Sequence, residues 1–297
     1  MTKKLKILYI VGSARSGSTL LSRLLGEVDG FFNAGEAARY LLAPYESISL
    51  PCGCGNKLSK CSFWKDIVSI VPSSYAKSIA KRIMRIRYYP LLISLFRQKK
   101  IQSQLIHLGK ELKDLYSKIA LKADCEVIVD SSKTPDFAYI LSQFSDIELY
   151  MLHLIRKPQG VANSWRKPKQ YLRSQSVMRI SMGWLIDNLT IELLLLKKIR
   201  YQRVFYENLT QNPKNTLDKI IKFLKVKDRN LDFIKESQAV IHNQHMLASN
   251  PDKLKENKSI SINFCPWKLP LLENFLVTIV VFPLLIKYYF LPGRSKN

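Results

Sequence analysis

Gly12-Ser13-Ala14-Arg15-Ser16-Gly17-Ser18-Thr19 lies between the apolar run Leu5–Val11 and the helix-patterned run Leu20–Leu25. A strand, a glycine-rich loop and a helix in that order form a cradle for phosphate. The glycines allow a tight turn, backbone N–H groups can face an anion, and the helix N-terminus adds its positive end. The spacing follows G-x-x-x-x-G-K-[ST] with one departure. Ser18 stands at the lysine position, and the loop carries its cation at Arg15 instead. Ser13, Ser16, Gly17, Ser18 and Thr19 are the expected phosphate contacts, with Arg15 forking two hydrogen bonds to non-bridging oxygens. The loop thus predicts phosphate binding without the lysine that reaches the transferring phosphate of a nucleoside triphosphate.

Outward from this loop, short apolar runs alternate with helical patterns. That alternation predicts an α/β fold, a P-loop-type three-layer arrangement with a central, mostly parallel sheet. Strands are expected at Leu5–Val11, near Gly30–Ala34, and at Glu126–Asp130, Ile147–Ile155 and Gln202–Tyr206. Helices are expected after the loop, from Glu36, from Thr134-Pro135, over Gln170–Arg200 as one or two pieces, and at Leu217–Leu224. Residues 64–122 read as a helical insertion or cap within one domain spanning 1–297. Inside it, Lys81–Lys100 holds seven basic residues and no acid. This run reads as a solvated face, or as a cap over the site or a membrane-surface patch. Residues 243–258 read as a polar, basic loop.

With 47 Lys and Arg against 23 Asp and Glu, the net charge is +24, which favours anionic partners. No basic module interleaved with aromatics is present, so nucleic acid is not an expected partner. The five cysteines are an odd count and do not form a disulfide framework pattern. Cys52, Cys54 and Cys61 could begin a zinc site, but no fourth ligand is evident nearby. They read as a local turn or a redox pair, and no metal is expected. The N-terminus runs straight into the first strand without a signal-peptide pattern, so the cytoplasm is the expected location, peripheral contact with the inner face of a membrane being an option. At the other end, residues 268–292 form an apolar helix. Its core, Phe275–Ile286, is 12 residues, short for the ~20 of a membrane span. A buried terminal helix is expected in preference to an interfacial or tail anchor.

A second constellation runs His153-Leu-Ile-Arg156-Lys-Pro158-Gln-Gly160 and on to Ser164. It places Arg156 at the C-terminal edge of a strand, where open α/β sheets bind ligands, and Ser164 on the first turns of the next helix. The two are placed to share a second phosphate. His153 reads as a packed core histidine.

With both segments in hand, the chain resembles the sulfotransferases that use 3′-phosphoadenosine 5′-phosphosulfate (PAPS). In that family an Arg-Ser-Gly-Ser/Thr-Thr loop grips the 5′-phosphosulfate and a strand–Arg–loop–Ser segment grips the 3′-phosphate. The matching positions are Arg15 to Thr19, then Arg156 and Ser164. Gly35-Glu36, Cys52-Gly-Cys54-Gly with Cys61-Ser-Phe63-Trp64, Val129 to Pro135, Phe205 to Leu209 and His245 to Pro251 resemble segments of bacterial sulfotransferases in the same order. The Gly-Glu and Lys positions are also similar to the tyrosylprotein and carbohydrate branches. Two departures stand out. Arg156-Lys157-Pro158-Gln159 replaces the family's frequent Arg-Asp-Pro-Arg, and the C-terminal Arg-Lys-Gly-x-x-Gly element of cytosolic members is absent, with Lys253, Lys255 and Lys258 as a weak substitute.

The resemblance implies PAPS as co-substrate, no metal in the transfer, and an acceptor hydroxyl or, less so, an amine. It implies Glu36 as base, with Arg15 and Lys133 stabilising charge and Ser18 and Thr19 donating hydrogen bonds. Asp130 is expected to be structural. A carbohydrate, a lipid or a phenol are all open as acceptor. Two other readings compete: a P-loop kinase or NTPase, which requires lysine at position 18, and a non-enzymatic basic protein of membrane surfaces.

Overall fold

A computed structural model describes residues 4–40, 51–68, 78, 99–166, 175–242, 244–247, 259–264 and 266–290. Five strands form one sheet: β1 (Leu5–Val11), β2 (Phe31–Gly35), β3 (Val127–Lys133), β4 (Ile147–Ile155) and β5 (Arg200–Phe205). Their order is β2-β3-β1-β4-β5, and every neighbouring pair is parallel. Successive residues of a strand point to opposite faces, and both faces are covered. Ile7, Tyr9 and Val11 of β1 therefore enter one apolar core with Met151 of β4. Leu8 and Ile10 enter a second core with Leu152 and Leu154. The continuous apolar runs seen in the sequence are the signature of such doubly buried strands.

Helices supply the two outer layers. On the second core lie α1 (Ser18–Leu25), through Leu21, Leu24 and Leu25, and, further along the chain, the helix Pro213–Phe223. The first core is covered by α4 (Lys99–Ala123), which follows the short turns α2 (Ala37–Tyr40) and α3 (Lys65–Val68). Its buried stripe Leu105, Leu108, Leu112, Leu115 and Ile119 recurs at the three-and-four spacing of one helical face. Next come α5 (Pro135–Leu141), α6 (Pro158–Arg166) and α7 (Val177–Leu194), then α8 (Tyr206–Gln211) and α9 (Pro213–Phe223). A small antiparallel sheet joins β6 (Ile234–Lys235), β7 (Gln238–Val240) and β8 (Ser259–Ser261).

Because β1 is the middle strand, the loop that leaves it opens at the centre of the sheet's C-terminal edge. β3 and β4 end on either side of it. One extra residue in β3 shifts its register, so that Tyr9 faces Asp130 but Val11 faces Lys133. This irregularity delivers Lys133 to the mouth of the loop.

Three expectations need correction or a limit. Residues 244–247 are not a plain polar loop: Leu247 bridges to Gly35 at the end of β2 and to Cys52, and Met246 and Leu247 are buried. The C-terminal helix α10 (Leu271–Leu285), continued as a wide turn Ile286–Phe290, is not buried either. Val277, Val281, Leu284 and Tyr288 cluster with Ile180 and Trp184 of α7, while Leu271 (88% exposed), Phe275 (61%), Ile279 and Phe282 face outward. From Leu271 to Phe290 the helix is long and apolar enough to cross a membrane. Finally, all but the last two residues of the basic run Lys81–Lys100 lie outside the described residues, as do Lys253, Lys255 and Lys258.

Candidate functional site

The loop is held open by two backbone features. Gly17 has φ 98°, and a Cβ there would sit 2.3 Å from the Tyr206 ring. Only glycine allows both the left-handed turn and the close aromatic neighbour. Arg15 has φ 68°, an unusual conformation for a residue with a side chain. Its Nε and Nη2 are buried without a hydrogen-bond partner among the described residues, and so is Ser16 Oγ. Burying such donors unpaired costs about 1–3 kcal/mol each, so their convergence on one loop marks a site shaped for an acceptor-rich anion. Ser13 and Ser18 are also buried, and Ser18 and Thr19 begin α1, whose first N–H groups lack partners within the helix.

Arg156, just past β4, meets this loop. Its Nη1 donates to the Arg15 carbonyl at 3.0 Å, and its guanidinium lies 4.2 Å over the ring of Tyr206. The Trp184 indole N–H donates to the Arg156 carbonyl at 3.0 Å, so the backbone is fixed as well. Arg156, Tyr206 and Gly17 therefore form one stack beneath the loop. Ser164 lies half-buried on α6, and no described hydrogen bond joins it to Arg156. Its neighbour Trp165 faces the loop instead, with the Arg15 guanidinium 5.6 Å from the centre of its ring.

On the other side, Lys133 Nζ donates to Glu36 Oε1 at 2.9 Å, and Arg39 Nη1 donates to Glu36 Oε2 at 2.9 Å. Lys133, like Arg15, is left-handed, at φ 70°. Two of the cations expected at the site thus occupy strained backbone, a pattern that concentrates at functional positions. The Glu36 N–H donates to the Leu247 carbonyl at 3.1 Å, and its side chain is 4% exposed. Arg39 was not foreseen from sequence. Its signal was the three-residue spacing from Glu36 at a helix start.

A cavity of about 700 Å³ opens beside these groups. Its lining includes Gly12, Ser13, Arg39 and Lys133, then Trp165 and, from α7, Arg179, Met182, Trp184, Ile186 and Asp187. It joins the phosphate-type loop to a mixed aromatic, aliphatic and charged wall. Glu36 reaches it through its two cationic partners and is not itself part of the lining.

Two residues singled out in the sequence are structural. Asp130 is fully buried and accepts from the Ala38 N–H (3.0 Å), the Ser132 N–H (2.6 Å) and the Tyr116 hydroxyl (2.7 Å). Burial pushes its pKa up. His153 is also fully buried, with Nε2 2.8 Å from Asn188 Oδ1, and burial pushes its pKa down to about 4.

The three cysteines lie together with a histidine. A fourth side chain that could act as a ligand comes from far along the chain, as His245 places Nδ1 3.3 Å from Cys61 Sγ. Spacing alone could not reveal a partner 184 residues away.

No family model matches the chain, and no curated protein matches it significantly. Among solved structures the chain is similar to the sulfotransferase domain from the curacin biosynthetic pathway. The TM-score is 0.50 at 19% identity, covering 94% of this chain and 98% of that one. A sulfotransferase domain from the Synechococcus PCC 7002 olefin synthase aligns with TM-score 0.46 at 19% identity, over 94% and 96%. At such identity the first of these likenesses speaks for architecture, and it runs over nearly the full length of both chains. This protein has the sulfotransferase fold, a central five-stranded parallel sheet between layers of helices, with a phosphate-type loop at the sheet's centre.

Proposed function

We propose that this chain is a sulfotransferase that takes the sulfuryl group of PAPS to an acceptor hydroxyl. The observation that carries the reading is the loop itself. Arg15 Nε, Arg15 Nη2 and Ser16 Oγ are buried donors lacking partners among the described residues, in a turn where serine replaces the triphosphate-binding lysine. These donors suit the 5′-phosphosulfate, with Ser18 and Thr19 at the helix N-terminus. Arg156 suits the 3′-phosphate, with Ser164 on the adjoining helix as a further contact. Bound there, PAPS supplies a sulfuryl group whose bond to the phosphate oxygen breaks as the bond to the acceptor oxygen forms.

The protein's part is charge and position. Lys133 and Arg15 stabilise the negative charge that gathers on the leaving phosphate. Glu36, held between Lys133 and Arg39, takes the acceptor's proton. No metal is needed for this chemistry. The wall of Trp165, Met182, Trp184 and Ile186 supports an acceptor with an apolar or aromatic body, lipid or phenolic, ahead of a bare sugar. The test is an acceptor screen with labelled PAPS and mass spectrometry of the products. Sulfation of one hydroxyl class supports the reading, while magnesium-dependent ATP turnover with no sulfate transfer would favour a P-loop kinase.

The outward row Leu271, Phe275, Ile279 and Phe282 supports a second element of the reading, contact with the inner face of a membrane. Replacing Phe275, Ile279 and Phe282 with serine should abolish flotation with anionic vesicles and leave donor binding intact. Flotation that survives the triple replacement would remove this element.

A further inference from the structure

Cys52, Cys54, Cys61 and His245 each offer one ligand atom, and these four atoms all lie within 4.8 Å of one another. Cys52 and Cys61 Sγ are 3.5 Å apart, and Cys54 and Cys61 Sγ are 3.8 Å apart. His245 Nδ1 lies 3.3 Å from Cys61 Sγ and 3.9 Å from Cys52 Sγ. A tetrahedral zinc with bonds of about 2.3 Å to sulfur and 2.0–2.1 Å to nitrogen requires ligand–ligand edges of about 3.5–3.8 Å. The four contacts fall around that range. A disulfide would need its sulfurs at about 2.05 Å, and all three cysteines are free thiols.

The surroundings are those of a metal knuckle rather than of an incidental cluster. The Cys54 N–H donates to Cys52 Sγ at 3.5 Å, and Asn56 Nδ2 donates to Cys54 Sγ at 3.7 Å. Such N–H···S contacts are the outer support that orients thiolate ligands. The His245 ring is oriented from outside the cluster. It stacks on Phe63, with centroids 5.8 Å apart, and its backbone carbonyl accepts from the Trp64 indole at 2.7 Å. Nδ1 is thereby presented to the thiols by ring packing and this backbone hydrogen bond.

We propose that these four residues bind one zinc ion as a closed, structural Cys3His site. Up to three thiol protons leave as zinc binds. Four protein ligands leave no open position for substrate, so the ion has no part in group transfer. Its effect is mechanical. Cys52 bridges to Leu247, Leu247 bridges to Gly35, and the Leu247 carbonyl receives the Glu36 N–H. The zinc would pin the strut that backs Glu36 to the end of β2. The proposal stands whatever anion the loop binds.

The test uses the full chain purified under reducing conditions without chelator. Metal analysis should find one zinc per chain, and X-ray absorption should resolve three sulfurs and one nitrogen at the distances above. Cobalt substitution should give the visible bands of a tetrahedral thiolate site. Cys54→Ser and Cys61→Ser should each lower the zinc content, whereas Cys125→Ser should not. Should those variants fail to fold, the wild-type measurements still decide. Wild-type protein that retains no zinc after incubation with the ion and gel filtration, while its cluster thiols react freely with a thiol reagent, would overturn the site. So would a disulfide among Cys52, Cys54 and Cys61 in the freshly isolated chain.

Discussion

In the proposed reaction Arg15 and Glu36 have separate roles at the residue scale, and each can be removed separately. Arg15 holds two buried donors that nothing in the described protein satisfies. Arg15→Ala should weaken binding of 3′,5′-ADP by roughly 1.5–3 kcal/mol, about 10- to 100-fold by calorimetry, because charge-assisted hydrogen bonds are lost. The melting temperature without ligand should change little, since Nε and Nη2 make no hydrogen bond among the described residues and only the contact of the guanidinium with the Trp165 ring is lost. Glu36→Gln should leave 3′,5′-ADP affinity intact and lower transfer by about 10²–10⁴-fold, the usual worth of a positioned base. Full activity in that variant would reassign the base. Arg15 and Glu36 were legible in the sequence because each sits in a short motif next to a strand. Arg39 and His245 were not. Arg39 touches Glu36 rather than the loop, and the place of His245 beside the cysteines depends on a contact across most of the chain.

At the scale of elements, the loop depends on what packs beneath it. Gly17, the Tyr206 ring and Arg156 form one stack, so the loop's shape is coupled to the start of α8. Gly17→Ala forces a Cβ against the Tyr206 ring in a left-handed backbone position. It should destabilise the fold by about 1–3 kcal/mol and abolish 3′,5′-ADP binding, as read by thermal melts and calorimetry. Unchanged affinity would mean that the loop is not built on this stack. The central strands β1 and β4 were visible as apolar runs, because strands buried on both faces must be apolar, whereas the edge strand β5 carries Arg200, Gln202 and Arg203 and showed only its apolar end. The C-terminal helix misled for a related reason. Its composition says that it is apolar, but among the described residues only Val277, Val281 and Leu284 of Leu271–Leu285 are buried, with Val280 and Leu285 packed partly against them. Composition cannot say which of its faces the rest of the chain will cover.

Across the whole molecule, the charge of +24 sets an electrostatic bias toward anions, and the buried polar groups set the response to acid. His153 faces Asn188, Glu192, Arg203, Lys287 and Tyr288, and burial lowers its pKa from 6.5 to about 4. The folded state therefore keeps it neutral while the unfolded chain takes up a proton below pH 6.5. Its contribution to stability is whole above about 6.5 and declines as pH falls toward 4, by about 3 kcal/mol in all. His153→Gln should remove that part of the pH dependence, measured as the difference between the denaturation curves of the two proteins. Equal slopes would place the histidine's titration elsewhere. The strand order β2-β3-β1-β4-β5 was not readable, because the crossover that seats β3 beside β1 is set by packing among distant segments. That crossover is also what unites Lys133, the loop and Glu36.

The proposed chemistry depends on which anion the Gly12–Thr19 loop binds. Thermal shift of the wild-type chain with 3′,5′-ADP and with ATP, each with and without magnesium, tests it most directly. Stabilisation by 3′,5′-ADP that needs no magnesium, with little from ATP, is the predicted result. Magnesium-dependent stabilisation by ATP, with none from 3′,5′-ADP, would contradict it.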